Sequence, residues 1–237
     1  MINYKVGVFS YSFSHKKSYD FINILIKQKI INCVIAAPKK KIIIKSNWVP
    51  AFKKKNKKFN LDIKKLCENN RVNFYELKHD NYSKIKFLCS KFKLNIGIVS
   101  GARIIKEDVI KLFKHGIINV HPGKIPQTSG LDSFFWMINK NINPCVTAHF
   151  IDKHIDRGKI IDEKKIAIKK YDNFFSFKNI IYNNEKKILV SIAKLLKNKK
   201  KIKSQTVINY FKNDQLNTKE KKSIYEDKFL QFKKKKI

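Results

Sequence analysis

The chain has 237 residues, of which 43% are hydrophobic and 30% charged, so it can bury a sizeable core and is not disordered as a whole. Its longest uncharged apolar run, residues 30–38, is about half as long as a membrane-spanning helix, which needs ~20 residues. The formal net charge of +35 suggests the hypothesis that the protein binds nucleic acid. Only three of the 53 basic residues are arginine, the residue best suited to bidentate contacts with phosphates and bases, which weakens this hypothesis.

Strand and helix patterns alternate along most of the chain. Short runs rich in β-branched residues predict strands at 5–9, 32–37, 72–77, 96–100, 116–120 and 146–151. Between them, apolar residues at three- and four-residue spacing predict helices at 19–29, 61–69, 81–93, 106–115 and 131–139. This alternation predicts an α/β fold with a Rossmann-like, mostly parallel sheet and helices on both faces. Such sheets bind ligands beyond the carboxyl ends of their strands.

Two regions depart from this alternation. Residues 38–60 carry two lysine clusters around Trp48 and predict an exposed loop, in which Trp48 is more simply a hydrophobic plug than a ligand contact. After a strand pattern at 159–168, the spacing predicts a long helix at 172–197, a short strand at 206–211 and a charged helix or tail at 219–237. We divide the chain into a main domain at 1–198 and a lysine-rich C-terminal extension at 199–237, which is too short and polar for a core of its own.

The cysteines and the lysine excess each favour a plain interpretation. The four cysteines lie far apart and form no Cys-x-x-Cys pattern, so we expect buried free thiols, with neither a disulfide framework nor a metal site. Lysine is abundant together with Asn and Ile along the whole chain, which favours compositional bias over a nucleic-acid ligand. We expect a cytoplasmic protein with no membrane partner.

Asn119 and His121 stand at the end of the fifth predicted strand. They are two residues apart, so in an extended chain both side chains project from one face. Pro122 and Gly123 then end the strand. An amide donor and an imidazole held side by side suit stabilisation of an oxyanion together with proton transfer. Alone the pair is a weak signal, because strand ends often carry polar residues.

Asp156 strengthens this hypothesis. It follows the strand at 146–151 in a turn bounded by Gly158, where we expect it to reach His121. A carboxylate beside the imidazole would orient it and raise its pKa, which favours the protonated form that donates to an oxyanion. The three residues predict an acyl-transfer site without a serine or cysteine nucleophile, at which the acceptor attacks directly.

These residues belong to a longer series of motifs. The series is Asn119-x-His121-Pro122, Ile125-Pro126, Gly130, a Val-Thr-x-His strand at 146–149, and Ile155-Asp156-x-Gly158-x-Ile160-Ile161. In this order and spacing it resembles the signature of the folate-dependent formyltransferases, which act on methionyl-tRNA, glycinamide ribonucleotide or amino-sugar nucleotides. The resemblance spans roughly residues 1–165 and is most specific from 97 to 161. It implies a formyltransferase catalytic domain at 1–198 that transfers a formyl group from 10-formyltetrahydrofolate to a primary amine.

The resemblance also implies roles for individual residues. Asn119 and His121 would stabilise the tetrahedral intermediate at the formyl oxygen, while Asp156 would orient His121 and relay the proton. Two loops would hold the folate, and their residues are Ser100, Gly101, Ala102, Arg103, Ile104, Ile105, Ile151 and Asp152. The acceptor pocket would be bordered by Ser10, Gly123, Lys124 and Gln127. No metal is implied. Arg103 against the folate and Arg103 paired with a carboxylate both stay open, and His149 is interpreted as a packed core histidine.

Departures from the family's patterns bear on the amine acceptor. Residues 10–18 contain no glycine, whereas glycinamide ribonucleotide formyltransferases cradle a phosphate there with a Gly/Ser-rich loop. Methionyl-tRNA formyltransferases carry a further β-barrel domain, where this chain has only the lysine-rich extension. The His121-Pro122-Gly123 triplet is similar to sugar N-formyltransferases, which favours an amino-sugar nucleotide.

Several alternatives remain at this stage. They are a methionyl-tRNA or glycinamide ribonucleotide formyltransferase, a formyl-folate hydrolase, and a non-catalytic basic protein that binds RNA on the same fold. The expected partner is a small-molecule amine, with nucleic acid less favoured and a homodimer left open.

Overall fold

The computed structural model describes residues 1–39, 61–154, 156–169, 173–207 and 213–237. The strands in these residues are β1 Val6–Tyr11, β2 Ile31–Ala37, β3 Asn73–Glu76, β4 Ile96–Val99, β5 Ile117–His121, β6 Cys145–Phe150 and β7 Ile160–Lys165. The helices are α1 Lys16–Lys27, α2 Ile63–Asn69, α3 Tyr82–Phe92, α4 Glu107–Lys111, α5 Ser133–Asn139, α6 Phe174–Lys197, α7 Thr218–Ser223 and α8 Phe229–Lys234, with a π-helical segment Ile224–Lys228 between the last two.

The strands form a single seven-stranded sheet in the order β3-β2-β1-β4-β5-β6-β7. β1 to β5 pair in parallel, which confirms the predicted mostly parallel α/β architecture. β6 pairs antiparallel with β5, and β7 pairs antiparallel with β6. The alternation of strands and helices in the sequence did not predict this reversal. The connection from β6 to β7 covers only residues 151–159, too few for a crossover between parallel strands.

Apolar residues of the sheet alternate between two faces, and helices cover both. Val8, Val34 and Ile118 pack in the larger core cluster, which also receives the buried residues of α1, α5 and α6. Phe9 and Ile117 pack in the smaller cluster with residues of α3 and α4. This period-two alternation is what a strand buried on both faces requires.

Side-chain caps set the first residues of the helices nearest the site. His15 Nδ1 accepts from the Ser18 N–H, so α1 begins at Lys16, a few residues before the predicted helix at 19–29. Asn173 accepts from the N–H groups of Phe175 and Ser176 and begins α6 with a capping box.

The C-terminal extension packs onto the main domain. Phe229 and Phe232 of α8 are 3% exposed and lie against the ring of Phe177 on α6, so the end of the chain is helical and partly buried. The predicted strand at 206–211 lies mostly outside the described residues, as does Trp48 with most of the predicted loop at 38–60. The domain boundary at 198/199 stays a prediction.

All four cysteines are buried and free, as expected. Burial raises the pKa of the Cys33, Cys67 and Cys145 thiols to about 12. Among the described residues, none of the helices combines the length and apolar character needed to cross a membrane. The same part of the chain contains no cluster of three His, Cys, Asp or Glu side chains able to hold a metal ion.

Candidate functional site

The two polar side chains of β5 lie where the strand ends. Asn119 is half-buried and His121 is 4% exposed. Each stands opposite a polar residue of the antiparallel strand β6, Asn119 opposite His149 and His121 opposite Thr147. The Gly123 N–H donates to the His121 carbonyl, which closes the turn that ends the strand.

Asp156 lies beside both of these side chains. Its Oδ2 is 3.4 Å from His121 Nδ1 and accepts from the Gly130 N–H over 3.0 Å. Its Oδ1 is 3.5 Å from Asn119 Nδ2. Because β6 runs antiparallel, the loop that carries Asp156 leaves next to the start of β5, where the Ile151 N–H donates to the Ile117 carbonyl. The loop then turns back, with Asp156 at φ +49°, a backbone conformation that aspartate tolerates better than most residues.

His149 is a member of this cluster that the sequence interpretation assigned to the core. Its side chain is fully buried, but Nε2 lies 3.2 Å from Asn119 Nδ2 and 3.5 Å from Asp156 Oδ1. Nδ1 faces the Phe150 carbonyl at 2.9 Å. A neutral ring that donates there presents the lone pair of Nε2 to the Asn119 amide, whereas a protonated ring also donates from Nε2 to Asp156 Oδ1. His149 thereby orients Asn119. The antiparallel pairing of β5 with β6 would have revealed it.

The protonation states of the pair follow from burial and close charges. Burial raises the pKa of the Asp156 carboxyl, but the imidazoles of His121 and His149 and the Gly130 N–H outweigh it and hold that pKa well below its usual range. Burial lowers the pKa of His121, and the opposing effect of Asp156 is too small to reverse the shift. Asp156 raises the pKa of His121 as expected, but the net shift is downward and the protonated form is not favoured. The sequence does not show how completely this imidazole loses contact with water.

Both ring nitrogens of His121 face oxygen atoms of the chain. Nε2 lies 3.0 Å from the Thr128 carbonyl and Nδ1 faces Asp156. A neutral imidazole has one N–H and can donate to only one of these acceptors, whereas an imidazolium donates to both. A proton taken up by His121 would therefore be stabilised by an oxygen acceptor at either ring nitrogen.

The two predicted folate loops border the smaller core cluster. Ile105 is part of this cluster, and Ala102 and Ile151 pack against it. Ile104 is 78% exposed, so this loop presents an apolar side chain to its outer surface. Arg103 donates to the Pro38 carbonyl over 2.9 Å. This partner is neither the folate nor a carboxylate, the two alternatives that the sequence left open.

The remaining residues of these loops have mostly structural contacts. Ser100 is buried and donates to the Phe9 carbonyl. A side chain at Gly101 would place its Cβ 2.5 Å from Ser18 Oγ, so the loop passes close to α1. Asp152 accepts from the His154 N–H. Beside it, residues 151–154 and 157 and α4 line an open cleft of about 440 Å³.

The predicted acceptor residues differ in accessibility. Ser10 is fully buried and donates to the Tyr11 carbonyl, so its predicted contact with the acceptor is not supported: its side chain points into the fold. Gly123 is buried, and a Cβ there would lie 2.2 Å from Thr128 Oγ1. Lys124 is half-buried, with Nζ 3.9 Å from Glu163 Oε1. The half-buried Gln127 has an Oε1 atom without a partner in the described part of the chain.

A partly buried ion pair that sequence reasoning missed lies next to the cluster. Lys17 on α1 donates to Glu185 on α6 over 2.5 Å and to the Val120 carbonyl over 2.9 Å. Glu185 is 4% exposed, and burial raises its pKa while Lys17 opposes the shift. The pair joins two helices to the strand that carries Asn119 and His121. No local motif marks it, because its members are far apart in the chain.

A protein-family model described as formyl transferase matches residues 31–193. The methionyl-tRNA formyltransferase of Thermodesulfovibrio yellowstonii is 32% identical over 100 residues, covering 41% of this chain and 32% of that protein. The phosphoribosylglycinamide formyltransferase of Bacillus subtilis is 28% identical over 102 residues, covering 43% and 52%. The matched segments span between a third and about half of these relatives.

Solved structures of formyltransferases share the fold. Phosphoribosylglycinamide formyltransferase from Streptococcus pneumoniae superposes with a TM-score of 0.62 at 15% identity, covering 81% of this chain and 98% of that one. A sugar N-formyltransferase from a Shewanella species gives a TM-score of 0.60 at 14% identity, covering 89% and 76%. At these identities the likeness concerns the fold alone.

Proposed function

The chain belongs to the formyl transferase family, and we propose that it transfers a formyl group to a primary amine at the cluster of Asn119, His121 and Asp156. The observation that carries the proposal is the 3.4 Å contact between His121 Nδ1 and Asp156 Oδ2 at the end of β5, beside the Asn119 amide. An amide donor, a buried imidazole and an ionised carboxylate are the groups that acyl transfer to an amine needs.

The formyl donor we propose is 10-formyltetrahydrofolate, which supplies an activated one-carbon carbonyl. The fit rests on the loop at 100–105, with its exposed Ile104, and on the cleft of about 440 Å³ beside Ile151 and Asp152, a size typical of small-molecule sites. Residues 100–105 and 151–152 would hold this co-substrate. A formyltransferase of Anoxybacillus kamchatkensis that shares this fold has a crystal structure in complex with tetrahydrofolate and UDP-4,6-dideoxy-4-formamido-L-AltNAc.

The cluster divides the chemical work between its members. The Asn119 amide, held by His149, donates to the oxygen that gains negative charge as the amine attacks. Neutral His121 accepts the proton that the attacking amine loses, and the resulting imidazolium is stabilised by Asp156 and the Thr128 carbonyl. The imidazolium then gives this proton to N10 of the folate as the C–N10 bond of the tetrahedral intermediate breaks, so that tetrahydrofolate leaves and the formylated amine remains. Asp156 keeps its negative charge throughout because its pKa is held low. In this role Asp156 orients the ring and makes proton uptake by His121 easier.

We propose an amino-sugar nucleotide as the acceptor. Where a phosphate-binding loop would need free backbone amides, the His15 side chain accepts from the Ser18 N–H at the start of α1. The ring of Tyr11 stacks on Phe13 with centroids 4.8 Å apart, so bulky side chains fill the loop. This argues against a simple phosphate cradle of the kind that a ribonucleotide acceptor would use.

The proposal is tested by supplying the donor and varying the acceptor. The protein is incubated with 10-formyltetrahydrofolate and, separately, 3-amino and 4-amino sugar nucleotides, glycinamide ribonucleotide and charged initiator tRNA, with formylated product detected by mass. We expect product with an amino-sugar nucleotide. Product with tRNA or glycinamide ribonucleotide instead would retain the chemistry and overturn the acceptor, formate release without any product would indicate a hydrolase, and no turnover of the donor would overturn the formyl-transfer proposal.

A further inference from the structure

The C-terminal extension contacts the loop that holds the reacting cluster, through Asn213. This side chain is 6% exposed. Its Nδ2 donates to the Ser129 carbonyl over 2.8 Å and to the Gln127 carbonyl over 3.1 Å. Its backbone N–H donates to the same Ser129 carbonyl over 3.0 Å. One asparagine therefore fixes two peptide groups of a loop that is far from it in the chain.

The loop at 127–130 in turn makes three contacts with the reacting groups. The Thr128 carbonyl faces His121 Nε2 at 3.0 Å. Ser129 Oγ donates to the Asp156 carbonyl over 2.7 Å, and the Gly130 N–H donates to the Asp156 carboxylate over 3.0 Å. Ser129 therefore bonds both Asn213 and Asp156. Gln127, the other partner of Asn213, directly precedes Thr128, which contacts the imidazole.

The fit between the loop and the extension leaves no room for a side chain. Gly130 has φ +100° and forms a parallel bridge with Asn213. A Cβ at Gly130 would lie 2.4 Å from the Asn213 carbonyl oxygen. Glycine is required here both for its backbone conformation and for the close approach of the two chain segments.

The segment that follows Asn213 is anchored independently. The Trp136 indole donates to the Asp214 carbonyl over 2.9 Å, and the Leu216 N–H donates to Asp132 Oδ2 over 3.0 Å. Lys221, whose side chain is 9% exposed, forms an ion pair with Asp132 over 2.8 Å. The residues that follow Asn213 are therefore held to the main domain by contacts other than those of Asn213 itself.

We propose that Asn213 is a positioning residue, through which the C-terminal extension holds the loop at 127–130 and thereby orients His121 and Asp156. The expected effect of Asn213 on turnover rests on the proposed function. The expected effect of Asn213 on the geometry of the cluster does not depend on any substrate. The extension is then a working part of the site instead of a solvated tail.

The test compares Asn213→Ala and the near-isosteric Asn213→Asp with Asn217→Ala, a control in the same segment. Asn217 caps α7, where its side chain accepts from the Glu220 N–H. Displacing reacting groups by about 1 Å can cost on the order of 100-fold in rate, so we expect both Asn213 variants to lower kcat by roughly 10- to 100-fold with little change in KM. We expect the Asn217 variant to keep the wild-type kcat.

A second readout separates failure of this inference from failure of the proposed function. The His121 ring resonances are followed by NMR as a function of pH, without donor or acceptor. We expect the His121 titration to change in the Asn213 variants and to be unchanged in Asn217→Ala. A folded Asn213→Asp protein with wild-type titration, or equal losses of kcat in the Asn213 and Asn217 variants, would overturn the positioning role even if the wild type forms product.

Discussion

His121 Nδ1 lies 3.4 Å from Asp156 Oδ2, while the other nitrogen of the same ring faces the Thr128 carbonyl. The imidazole is therefore held between two acceptors and is nearly excluded from water. Burial opposes its protonation and the carboxylate favours it, and burial is the larger effect. Its charge at neutral pH depends on this balance, which a single substitution can test.

We predict that His121 titrates below the ordinary imidazole value of 6.5 and that Asp156→Asn lowers its pKa further. Removing the carboxylate removes the charge that stabilises the imidazolium, so the shift is downward. NMR titration of the ring measures both values, with Asp152→Asn as a control in the same loop. A rise in the His121 pKa in Asp156→Asn would show that the electrostatic assignment is wrong.

His149 offers a test of how Asn119 is oriented. In His149→Leu the Asn119 amide loses the closer of its two acceptors, at 3.2 Å, and keeps the longer contact of 3.5 Å with Asp156 Oδ1. We expect kcat to fall by roughly 10- to 100-fold because the amide then samples other orientations. His149→Gln restores an acceptor oxygen and should recover part of this loss. Steady-state kinetics on both variants, with circular dichroism to verify folding, distinguishes a lost orientation from a damaged core. Equal activity in the two variants would argue against an orienting role.

Gly158 closes the loop that carries Asp156. A Cβ there would lie 1.7 Å from the Phe150 carbonyl oxygen, so Gly158→Ala must displace the backbone of this loop. We expect at least about a 100-fold loss of kcat. Gly7→Ala serves as the control, because the atoms nearest to its Cβ would be side-chain atoms of Leu94 and Phe113 at 3.1–3.6 Å, which can shift without moving the backbone. Wild-type kinetics in Gly158→Ala would mean that the Asp156 loop tolerates large displacement.

His79 provides a prediction for acid stability away from the site. It is 1% exposed, and burial lowers its pKa to about 4 from an ordinary value of 6.5. The unfolded chain therefore takes up this proton before the folded chain does. The contribution is fully present above pH 6.5 and is lost as the pH falls towards 4, amounting to about 3 kcal/mol.

Denaturant unfolding at several pH values measures this contribution. His79→Gln keeps a donor for the Ile35 carbonyl, which His79 Nε2 contacts at 3.1 Å, but does not titrate. We expect the free energy of unfolding of this variant to fall less steeply between pH 6.5 and pH 4 than that of the wild type. Identical slopes in His79→Gln and the wild type would contradict the assignment.

The sequence predicts those parts of the molecule that local patterns encode. The hydrophobic periodicity predicts the α/β layers. The Asn119-x-His121 and Asp156-x-Gly158 motifs predict the three side chains that converge at the site. The reversal of β6 has no local pattern, and with it the place of His149 opposite Asn119 was missed. The inward direction of Ser10 and the burial that lowers the His121 pKa depend on the assembled core.

The C-terminal extension shows the same limit most plainly. Its lysine-rich composition predicts a charged helix or tail, and nothing in the neighbourhood of Asn213 marks a contact with the Ser129 carbonyl. Such a contact exists only once helix α5 and the loop before it are in place. Buried polar side chains with several backbone partners are therefore found from coordinates and not from composition.

The central claim is tested most directly by single-turnover formation of formylated product in Asn119→Ala, His121→Ala and Asp156→Asn, with the exposed Asn143→Ala as the control. Saturating 10-formyltetrahydrofolate and the acceptor identified with the wild type remove binding from the comparison. We expect each of the three variants to lose on the order of 10²- to 10³-fold in rate, as for removal of an oxyanion donor or a proton acceptor, and the control to match the wild type. Rates within about threefold of the wild type in folded Asn119→Ala and His121→Ala proteins would contradict the account, because one missing group should cost far more than that.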